Sequence, residues 1–252
     1  MRPEHLDLLH SVGRPSLTPD GATAVVAAIR PDLEADRYRG GLWAVPTAGG
    51  AARPLTRGDR DMAPAVSPDG TMVAFLRAEV GAPPQIHLTR LDGGEPVCLT
   101  DQPLGAGAPE WSPDGSRLAW SARVPEPGRY GTETPEGSKP EADAEPPRLV
   151  REFAYRMDGL GYTRDRRQHV FVLDVPDLFG APGDTDLEVP VEARQLTDGD
   201  ADDTSPVWSP DGSQLAFLAS RHAERETDLR SSVYVVAADV DEPVNDPAMV
   251  VG

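Results

Sequence analysis

The stretch Pro109-Glu-Trp-Ser-Pro-Asp-Gly115 decides the fold, because near-copies of it occur three more times in the chain. The other copies are Pro15-Ser-Leu-Thr-Pro-Asp-Gly21, Pro64-Ala-Val-Ser-Pro-Asp-Gly70 and Pro206-Val-Trp-Ser-Pro-Asp-Gly212. Counted between the prolines of successive Pro-Asp-Gly cores, the spacings are 49, 45 and 97 residues. Self-similarity of this kind indicates that the chain repeats one structural unit.

The Ser-Pro-Asp-Gly core is typical of a tight connection between antiparallel strands. Proline presets φ at the first central position, aspartate bonds back to the backbone, and glycine takes a positive φ at the exit. In two copies Trp111 or Trp208 precedes the turn, where it is expected to end an inner strand and to pack between sheets. The repeated residues therefore predict a fold and no chemistry.

An apolar run and then a second strand-like run follow each core. The apolar runs are residues 24–28, 72–76, 118–120 and 215–218, and the second runs are residues 42–45, 85–88, 169–173 and 232–236. Three copies close with Leu-Thr, at Leu55-Thr56, Leu99-Thr100 and Leu196-Thr197. A β-sandwich also has short strands and frequent turns, but it would not repeat a signature at this period.

The period matches a four-stranded propeller blade. We expect an all-β fold: an incomplete β-propeller of four-stranded blades, with about four to five blades present. This partial propeller domain takes in residues 1–252, and its blades begin near residues 15, 64, 109 and 206. The third interval is twice the period, and it contains one Leu-Thr close. We therefore favour an insertion over a blade that has lost its signature.

The excess sequence divides into two parts of different composition. Residues 125–148 are rich in proline, glycine and acidic residues and contain no Leu, Ile, Val or Phe. Such a segment buries too little apolar surface to offset its chain entropy, which predicts a flexible insertion. Residues 149–169 mix aromatic residues with arginines, which predicts a hairpin. That hairpin would contact a second domain or an acidic ligand. Alternatively, it would be an ordinary ordered loop that leads back into the strand at Val170.

Charge and composition limit the partners of the protein. The chain has 252 residues and a formal net charge of −18, which argues against binding to a phosphate backbone or to an anionic membrane. The sequence has no signal-peptide h-region and no apolar stretch of 18 residues. The single cysteine, Cys98, allows no intrachain disulfide and suits a reducing compartment. We expect a cytoplasmic protein with no nucleic-acid and no membrane partner.

Motifs for catalysis and metal binding are absent from the sequence. It contains no G-x-S-x-G nucleophile turn, no phosphate-binding loop and no H-E-x-x-H helix. His87 and His169 fall at equivalent-looking strand positions, which suggests packing or a strand edge. Residues 198–203 begin like a calcium loop, but Asp203 stands where that loop needs glycine and Ser209 where it needs glutamate. Cys98 is expected to be a small buried apolar residue. We predict no catalytic, cofactor-binding or metal-binding residue, and no cofactor.

The repeats resemble the propeller repeats of TolB-type proteins and of the prolyl oligopeptidase family of serine peptidases. The opening, Val12-Gly-Arg-Pro-Ser-Leu-Thr-Pro-Asp-Gly21, is similar to the acylaminoacyl-peptidase-like branch of that family. So is Tyr155-Arg-Met-Asp-Gly-Leu-Gly-Tyr162, followed by Asp165-Arg-Arg-Gln-His-Val-Phe-Val172. The resemblance implies a C-terminal α/β-hydrolase domain with a Ser–Asp–His triad. No position of this chain matches the triad motif.

The resemblance also implies a role. The propeller would be a non-catalytic segment that gates peptide access, inactive alone. Its partner would be a hydrolase domain of the same or a split protein, and peptide substrates would meet it indirectly. A TolB-like scaffold for protein–protein interaction is the alternative. A self-contained hydrolase is disfavoured by the missing nucleophile turn.

Overall fold

The computed structural model describes residues 3–178 and 189–251. The propeller domain that the sequence predicts for residues 1–252 also includes residues outside these ranges. Within the described residues the chain is nearly all β-structure, with one short 3₁₀ helix, Pro3–Leu8. No helix there is long or apolar enough to cross a membrane. The strands form repeated antiparallel sheets of the size of a propeller blade, so the predicted fold class is confirmed.

The first two repeats each form one sheet. The strands of the first are β1 (Ser11–Val12), β2 (Ser16–Leu17), β3 (Thr23–Asp32), β4 (Arg37–Pro46) and β5 (Arg53–Pro54). Their order is β1-β3-β4-β5, and β2 also pairs with β3. The strands of the second are β6 (Asp61–Val66), β7 (Met72–Arg77), β8 (Gln85–Arg90) and β9 (Val97–Cys98), in that order.

The third sheet contains the long interval between repeats. The strands are β10 (Glu110–Trp111), β11 (Arg117–Pro125), β12 (Arg156–Met157), β13 (Gly161–Tyr162), β14 (Arg166–Asp174) and β15 (Arg194–Gln195). The sheet order is β10-β11-β14-β15, while β12 and β13 form a separate two-stranded ribbon. The extra residues therefore lie between the second and third strands of one sheet.

The fourth repeat forms a complete four-stranded sheet. The strands are β16 (Thr204–Trp208), β17 (Gln214–Ala219), β18 (Ser232–Ala237) and β19 (Ala248–Val251), in that order. No Leu-Thr pair occurs in this repeat after β18. Backbone pairing of Tyr234 with Met249 and of Val235 with Ala248 nevertheless adds the outer strand.

One hydrogen-bonded turn joins the first and second strands in each repeat. In the third repeat, the hydroxyl of Ser112 donates to Oδ1 of Asp114 (2.6 Å), and the amide of Ser116 donates to the same oxygen (3.1 Å). The amide of Arg117 donates to Oγ of Ser112 (2.9 Å). Gly115 has a φ of 73°, where a side chain would be strained. The turn is thus fixed by serine, aspartate and glycine together.

The other three turns repeat these contacts. The hydroxyl-to-aspartate bonds are Thr18–Asp20 (2.6 Å), Ser67–Asp69 (2.5 Å) and Ser209–Asp211 (2.6 Å). Hydrogen bonds from the serine hydroxyl and from the backbone amide two residues on lower the pKa of Asp114 and of Asp211 to about 2. Both bonds favour the ionised carboxylate, so the turns are built on charged aspartates.

The Leu-Thr pairs close the sheets by a recurring contact between the third and fourth strands. The threonine hydroxyl accepts a backbone N–H bond and the leucine amide donates to the carbonyl of the same residue. The three sets are Leu42 with Leu55-Thr56, Ile86 with Leu99-Thr100 and Val170 with Leu196-Thr197. Each leucine is buried, so the pair joins a backbone bond to a core side chain.

The described chain forms two compact units, each with its own core. The core of the first includes Val25, Leu42, Leu55, Val73 and Phe75. In this unit the indole of Trp111 donates to the carbonyl of Ala65 (2.9 Å) and so satisfies a group on β6. The core of the second includes Val170, Leu196, Trp208, Leu215, Phe217 and Tyr234. Each tryptophan ends its strand and packs inside its unit, as the sequence predicts.

Candidate functional site

The hairpin of β12 and β13 carries the strongest candidate site. The strands pair Arg156 with Tyr162 and Met157 with Gly161. Gly159 and Gly161 have φ values of 73° and 88°, a region that side chains avoid. Residues 155–162, within the segment for which the sequence predicts a hairpin, therefore form a tight two-stranded ribbon.

Apolar side chains are exposed along this ribbon and the residues before it. Phe153 is 85% exposed, Leu149 75% and Met157 58%. Val150, Tyr155 and Tyr162 are also exposed in part. An exposed apolar cluster of this kind marks a surface for contact with a protein or a ligand.

Hydrogen bonds and ring contacts hold the hairpin in place. The guanidinium carbon of Arg148 lies 4.4 Å from the ring centroid of Tyr162. Arg166 donates to the carbonyl oxygens of Leu160 and Tyr162. The amide of Thr163 donates to the carbonyl of Tyr155 (3.0 Å). The exposed apolar side chains therefore stand on a well-anchored backbone.

The insertion 125–148 contributes to the base of this hairpin. Arg129 is buried, and its guanidinium donates to Glu126 (3.2 Å) and to the carbonyl of Pro146 (2.9 Å). The hydroxyl of Tyr130 donates to Asp165 (2.8 Å). The flexibility of 125–148 stays a prediction, and these contacts identify where the segment is attached.

The base of the hairpin is a charged network. Arg148 donates to Asp165 and, at 2.8 Å, to Glu145. Burial opposes the charge of Arg148, but these bonds outweigh it and raise the pKa of its guanidinium. A bond from the amide of Tyr130, together with Arg148, lowers the pKa of Glu145. Burial and the bond to Asp165 raise the pKa of the Tyr130 hydroxyl, which stays neutral at physiological pH.

A pocket of about 310 Å³ opens beside this network. Its lining combines apolar surface from Leu149, Val150, Tyr155 and Tyr162 with the charged side chains of Arg148 and Arg164. Pockets that bind small ligands are typically apolar with a few placed polar groups. Eight of the twelve lining residues of this pocket are charged, so it is more polar than a typical ligand pocket.

Two of the five arginines of residues 149–169 are paired with carboxylates. The pairs are Arg164 with Glu152, Asp200 and Glu226, and Arg167 with Asp200 at 2.7 Å. Among the described residues, Arg151, Arg156 and Arg166 have no carboxylate partner; Arg166 donates to backbone carbonyls instead. The segment therefore keeps unpaired positive charge beside its exposed apolar side chains, and the charges alone do not decide between an acidic ligand and a protein contact.

The acidic loop of residues 198–203 is likewise occupied by arginines. Asp200 accepts from Arg225 (2.8 Å) and Asp202 accepts from Arg123 (3.3 Å). In residues 3–178 and 189–251, no group of three or more His, Cys, Asp or Glu side chains could hold a metal ion. The carboxylates that resemble the start of a calcium loop therefore face guanidinium groups instead.

The two strand histidines occupy different positions in their sheets. The Leu-Thr contacts align Ile86 with Val170, which sets His87 and His169 two positions apart. The predicted equivalence is therefore wrong. His87 packs against an aromatic ring of the neighbouring strand at 5.8 Å. His169 is buried, and its Nδ1 lies 3.3 Å from Asp203. Both are structural residues of their strands.

Cys98 is half-buried, somewhat more open than the sequence predicts. Its thiol donates to the carbonyl of Thr100 (3.3 Å). Burial raises the pKa of the thiol, so the reactive thiolate is disfavoured. The absence of a catalytic, cofactor-binding or metal-binding residue stays a prediction.

Sequence reasoning missed the residues that support the hairpin from within the insertion. Arg129, Tyr130 and Glu145 lie in a segment whose composition predicts only a loop. A signal was present, because Tyr130 is the one aromatic residue and Arg129 and Arg148 are two of three basic residues in that segment. Isolated residues of these types in an acidic loop indicate anchoring points.

Comparisons with known proteins agree with this architecture. No family model matches the chain. Over 227 residues, the sequence is 30% identical to an uncharacterised peptidase of Bacillus subtilis, YuxL, and the match covers 90% of this chain and 32% of YuxL. The structure is similar to that of Pyrococcus horikoshii acylaminoacyl peptidase, with a TM-score of 0.65 and 12% identity over 98% of this chain and 33% of that chain.

A second kind of fold neighbour is not a peptidase by its description. TolB from Acinetobacter baumannii has a TM-score of 0.53 and 14% identity over 96% of this chain and 43% of its own. The resemblance to peptidase and TolB-type propellers, predicted from the repeats, is confirmed. The chain spans about a third of the length of each of the two peptidases.

Proposed function

We propose that this chain is the non-catalytic propeller segment of a serine oligopeptidase, which limits peptide access to an α/β-hydrolase domain. The observation that carries the proposal is the 30% identity to a peptidase over 90% of this chain. The sequence contains no G-x-S-x-G turn, so the nucleophile would be supplied by the hydrolase domain. The single cysteine of the sequence, Cys98, suits a reducing compartment. As part of the same proposal, we place the protein in the cytoplasm.

The exposed hairpin supports a contact with such a domain. Apolar side chains on a well-anchored ribbon are costly to leave in water, and burial against a partner removes that cost. Arg129 and Arg148 at the base are paired with carboxylates, so the exposed apolar side chains are left for a partner to cover. Phe153 and Leu149 are the most exposed apolar residues of this surface, and we expect them to lie in the contact.

The first test reads the coding sequence beyond Gly252. A frame that continues into further blades and then a G-x-S-x-G turn with downstream Asp and His supports the proposal. A direct stop codon, with no partner gene for the remainder, would overturn it. The purified chain alone should not cleave a chromogenic acyl-amino-acid substrate. Activity of the chain that is lost with a serine-directed inhibitor would also overturn the proposal.

Variants of the hairpin test the contact. Phe153→Ser with Leu149→Ser should weaken association with the polypeptide encoded after Gly252. Leu229→Ser is the matched control, because Leu229 is fully exposed but lies in another loop. Equal association of all three proteins would exclude the hairpin from the contact.

An interaction scaffold of the TolB type is the second candidate. The similarity to TolB over 96% of this chain favours it. This candidate predicts a stable complex with another protein and no effect on the hydrolysis of peptides. Co-purification with a hydrolase domain would instead support the first proposal.

A further inference from the structure

Seven Asp-Gly pairs occur in the sequence, and one of them differs from the rest in its geometry. The pairs begin at Asp20, Asp69, Asp92, Asp114, Asp158, Asp198 and Asp211. In Asp198-Gly199, the amide nitrogen of Gly199 lies 2.7 Å from Oδ1 of the preceding aspartate. The nitrogen is therefore close to the carboxyl carbon of its own neighbour.

In the four repeat turns, both groups are engaged elsewhere. The glycine amide of Gly115 donates to the carbonyl of Ser112 (2.9 Å), and Asp114 accepts bonds from Ser112 and Ser116. The equivalent glycine-to-carbonyl bonds are Gly21–Thr18, Gly70–Ser67 and Gly212–Ser209. These bonds turn the glycine nitrogen away from the aspartate carboxyl in each repeat.

The two remaining pairs also lack the contact. The amide of Gly93 donates to the carbonyl of Arg90 (3.1 Å), and Asp92 is held by the guanidinium of Arg90. Asp158-Gly159 lies in the turn of the β12–β13 hairpin, and among the described residues no hydrogen bond joins its two groups. Asp198-Gly199 is thus the pre-positioned pair.

The surroundings of Asp198 add a polar neighbour and access for water. Nε2 of His169 lies 3.5 Å from the same Oδ1. A protonated carboxyl is a much better electrophile than a carboxylate. The side chain of Asp198 is 52% exposed, so water reaches it. Glycine at position 199 has no side chain to obstruct ring closure.

We propose that Asp198-Gly199 is a site of spontaneous succinimide formation and isoaspartate conversion. The nitrogen of Gly199 bonds to Cγ of Asp198, and the C–OH bond of the protonated carboxyl breaks. The amide proton and the hydroxyl leave together as water. Water then adds to either carbonyl carbon of the five-membered ring and breaks one C–N bond, which restores aspartate or yields isoaspartate. No oxidant or cofactor is consumed.

Conversion would disturb the contacts of this loop. The amide of Asp198 donates to the carbonyl of Val244 (3.0 Å), and its own carbonyl accepts from Arg221 (2.9 Å). Isoaspartate adds one methylene to the backbone at this point. The linkage between the loop and residues 244–245 is then displaced, and the fourth sheet loses support beside its outer strand. Isoaspartate is also the substrate of isoaspartyl methyltransferases, so labelling by such an enzyme reports its formation.

The experiment incubates the purified chain for several weeks at mildly acidic and at neutral pH. Peptide mapping with radical fragmentation distinguishes isoaspartate from aspartate at each of the seven pairs. We expect isoaspartate at Asp198 several-fold above every other pair, with Asp158 second because it is exposed but not pre-positioned. Equal or greater conversion at the repeat turns or at Asp158 would overturn the proposal.

A matched variant separates the chemistry from general ageing. Asp198→Glu keeps the charge but forms a six-membered ring far more slowly, so isoaspartyl methyltransferase should label the aged variant much less than the aged native chain. Urea unfolding of each before ageing shows whether the variant folds as the native chain does. Undiminished labelling of a folded Asp198→Glu chain would place the reactive site elsewhere and refute the assignment.

Discussion

Arg221 donates from Nε and Nη2 to the two carboxylate oxygens of Asp203, at 3.0 and 2.6 Å, and Asp203 is fully buried. The same bidentate contact joins Arg77 to the buried Asp61, at 2.7 and 3.0 Å. Each aspartate stands three residues before the proline that opens its repeat. After the Ser-Pro-Asp-Gly turn, the buried Arg–Asp pair is therefore a second repeated feature, and it is present in two of the four described sheets.

Both pairs lie next to an irregular part of the first strand. The pairing register shifts between Met62 and Ala65 in the second sheet and between Thr204 and Val207 in the fourth. Within these bulges Ala63 and Ser205 have positive φ. We infer that the buried ion pair holds the strand in this strained conformation.

Removal of the charge at Asp203 should destabilise the chain strongly. Asp203→Asn keeps the size of the side chain but leaves Arg221 without its buried counter-charge, which costs about 3–5 kcal/mol of unfolding free energy. Urea unfolding measures the change. Asp92→Asn is the control, because the Arg90–Asp92 pair is exposed and such pairs contribute about 0–1 kcal/mol. Similar losses in both variants would contradict a special role for the buried pair.

The turn serine should matter more than its exposed neighbour. Ser112→Ala removes a buried hydroxyl that donates to Asp114 and accepts from the amide of Arg117, and this partly buried amide loses its partner. We expect a loss of about 1–3 kcal/mol in unfolding free energy. Ser116→Ala, which removes only an exposed bond to Asp114, should change stability by less than about 0.5 kcal/mol. A larger loss for Ser116→Ala would refute this description of the turn.

The turn aspartates predict loss of stability in acid. The pKa of Asp114 and of Asp211 is about 2 in the folded chain, below the ordinary value of 3.8. The unfolded chain therefore binds protons first, so their contribution is present above about pH 4 and is lost as the pH falls towards 2. Unfolding free energy of the double variant Asp114→Asn, Asp211→Asn should depend less steeply on pH in this window. An unchanged slope would show that other groups control acid unfolding.

Repetition made the sheets predictable from the sequence. Four copies of one turn fixed where the first and second strands meet, and Leu-Thr marked the last strand in three of them. The fourth sheet completes without that mark, because backbone pairing with Tyr234 and Val235 does not require a particular side chain. Strand order in a repeated unit thus follows from local signals alone.

The site was harder to predict because its contacts join distant parts of the chain. Arg148 meets Asp165 and Arg164 meets Glu226 across separations of 17 and 62 residues. No local pattern pairs these charges. The composition of residues 149–169 indicated an unusual surface, but the residues that anchor it lie in a segment that composition assigns to a loop. Fold followed from periodicity, whereas the site depends on tertiary ion pairs.

Limited proteolysis tests whether the insertion is flexible between its anchors. Glutamates in the middle of the segment, such as Glu136 and Glu141, should be cut first by a glutamate-specific protease, because they have no ion pair among the described residues. Glu145 should be cut late, since Tyr130 and Arg148 hold it. Arg148→Gln removes two carboxylate bonds and the ring contact with Tyr162, so cleavage at Glu145 should accelerate several-fold.

Lys139→Gln is the matched control, since this exposed lysine has no ion pair among the described residues. If Glu145 is cut as fast as Glu136 in the native chain, the anchor does not hold the segment in solution. Late cleavage throughout the native segment would instead contradict the flexibility predicted from composition.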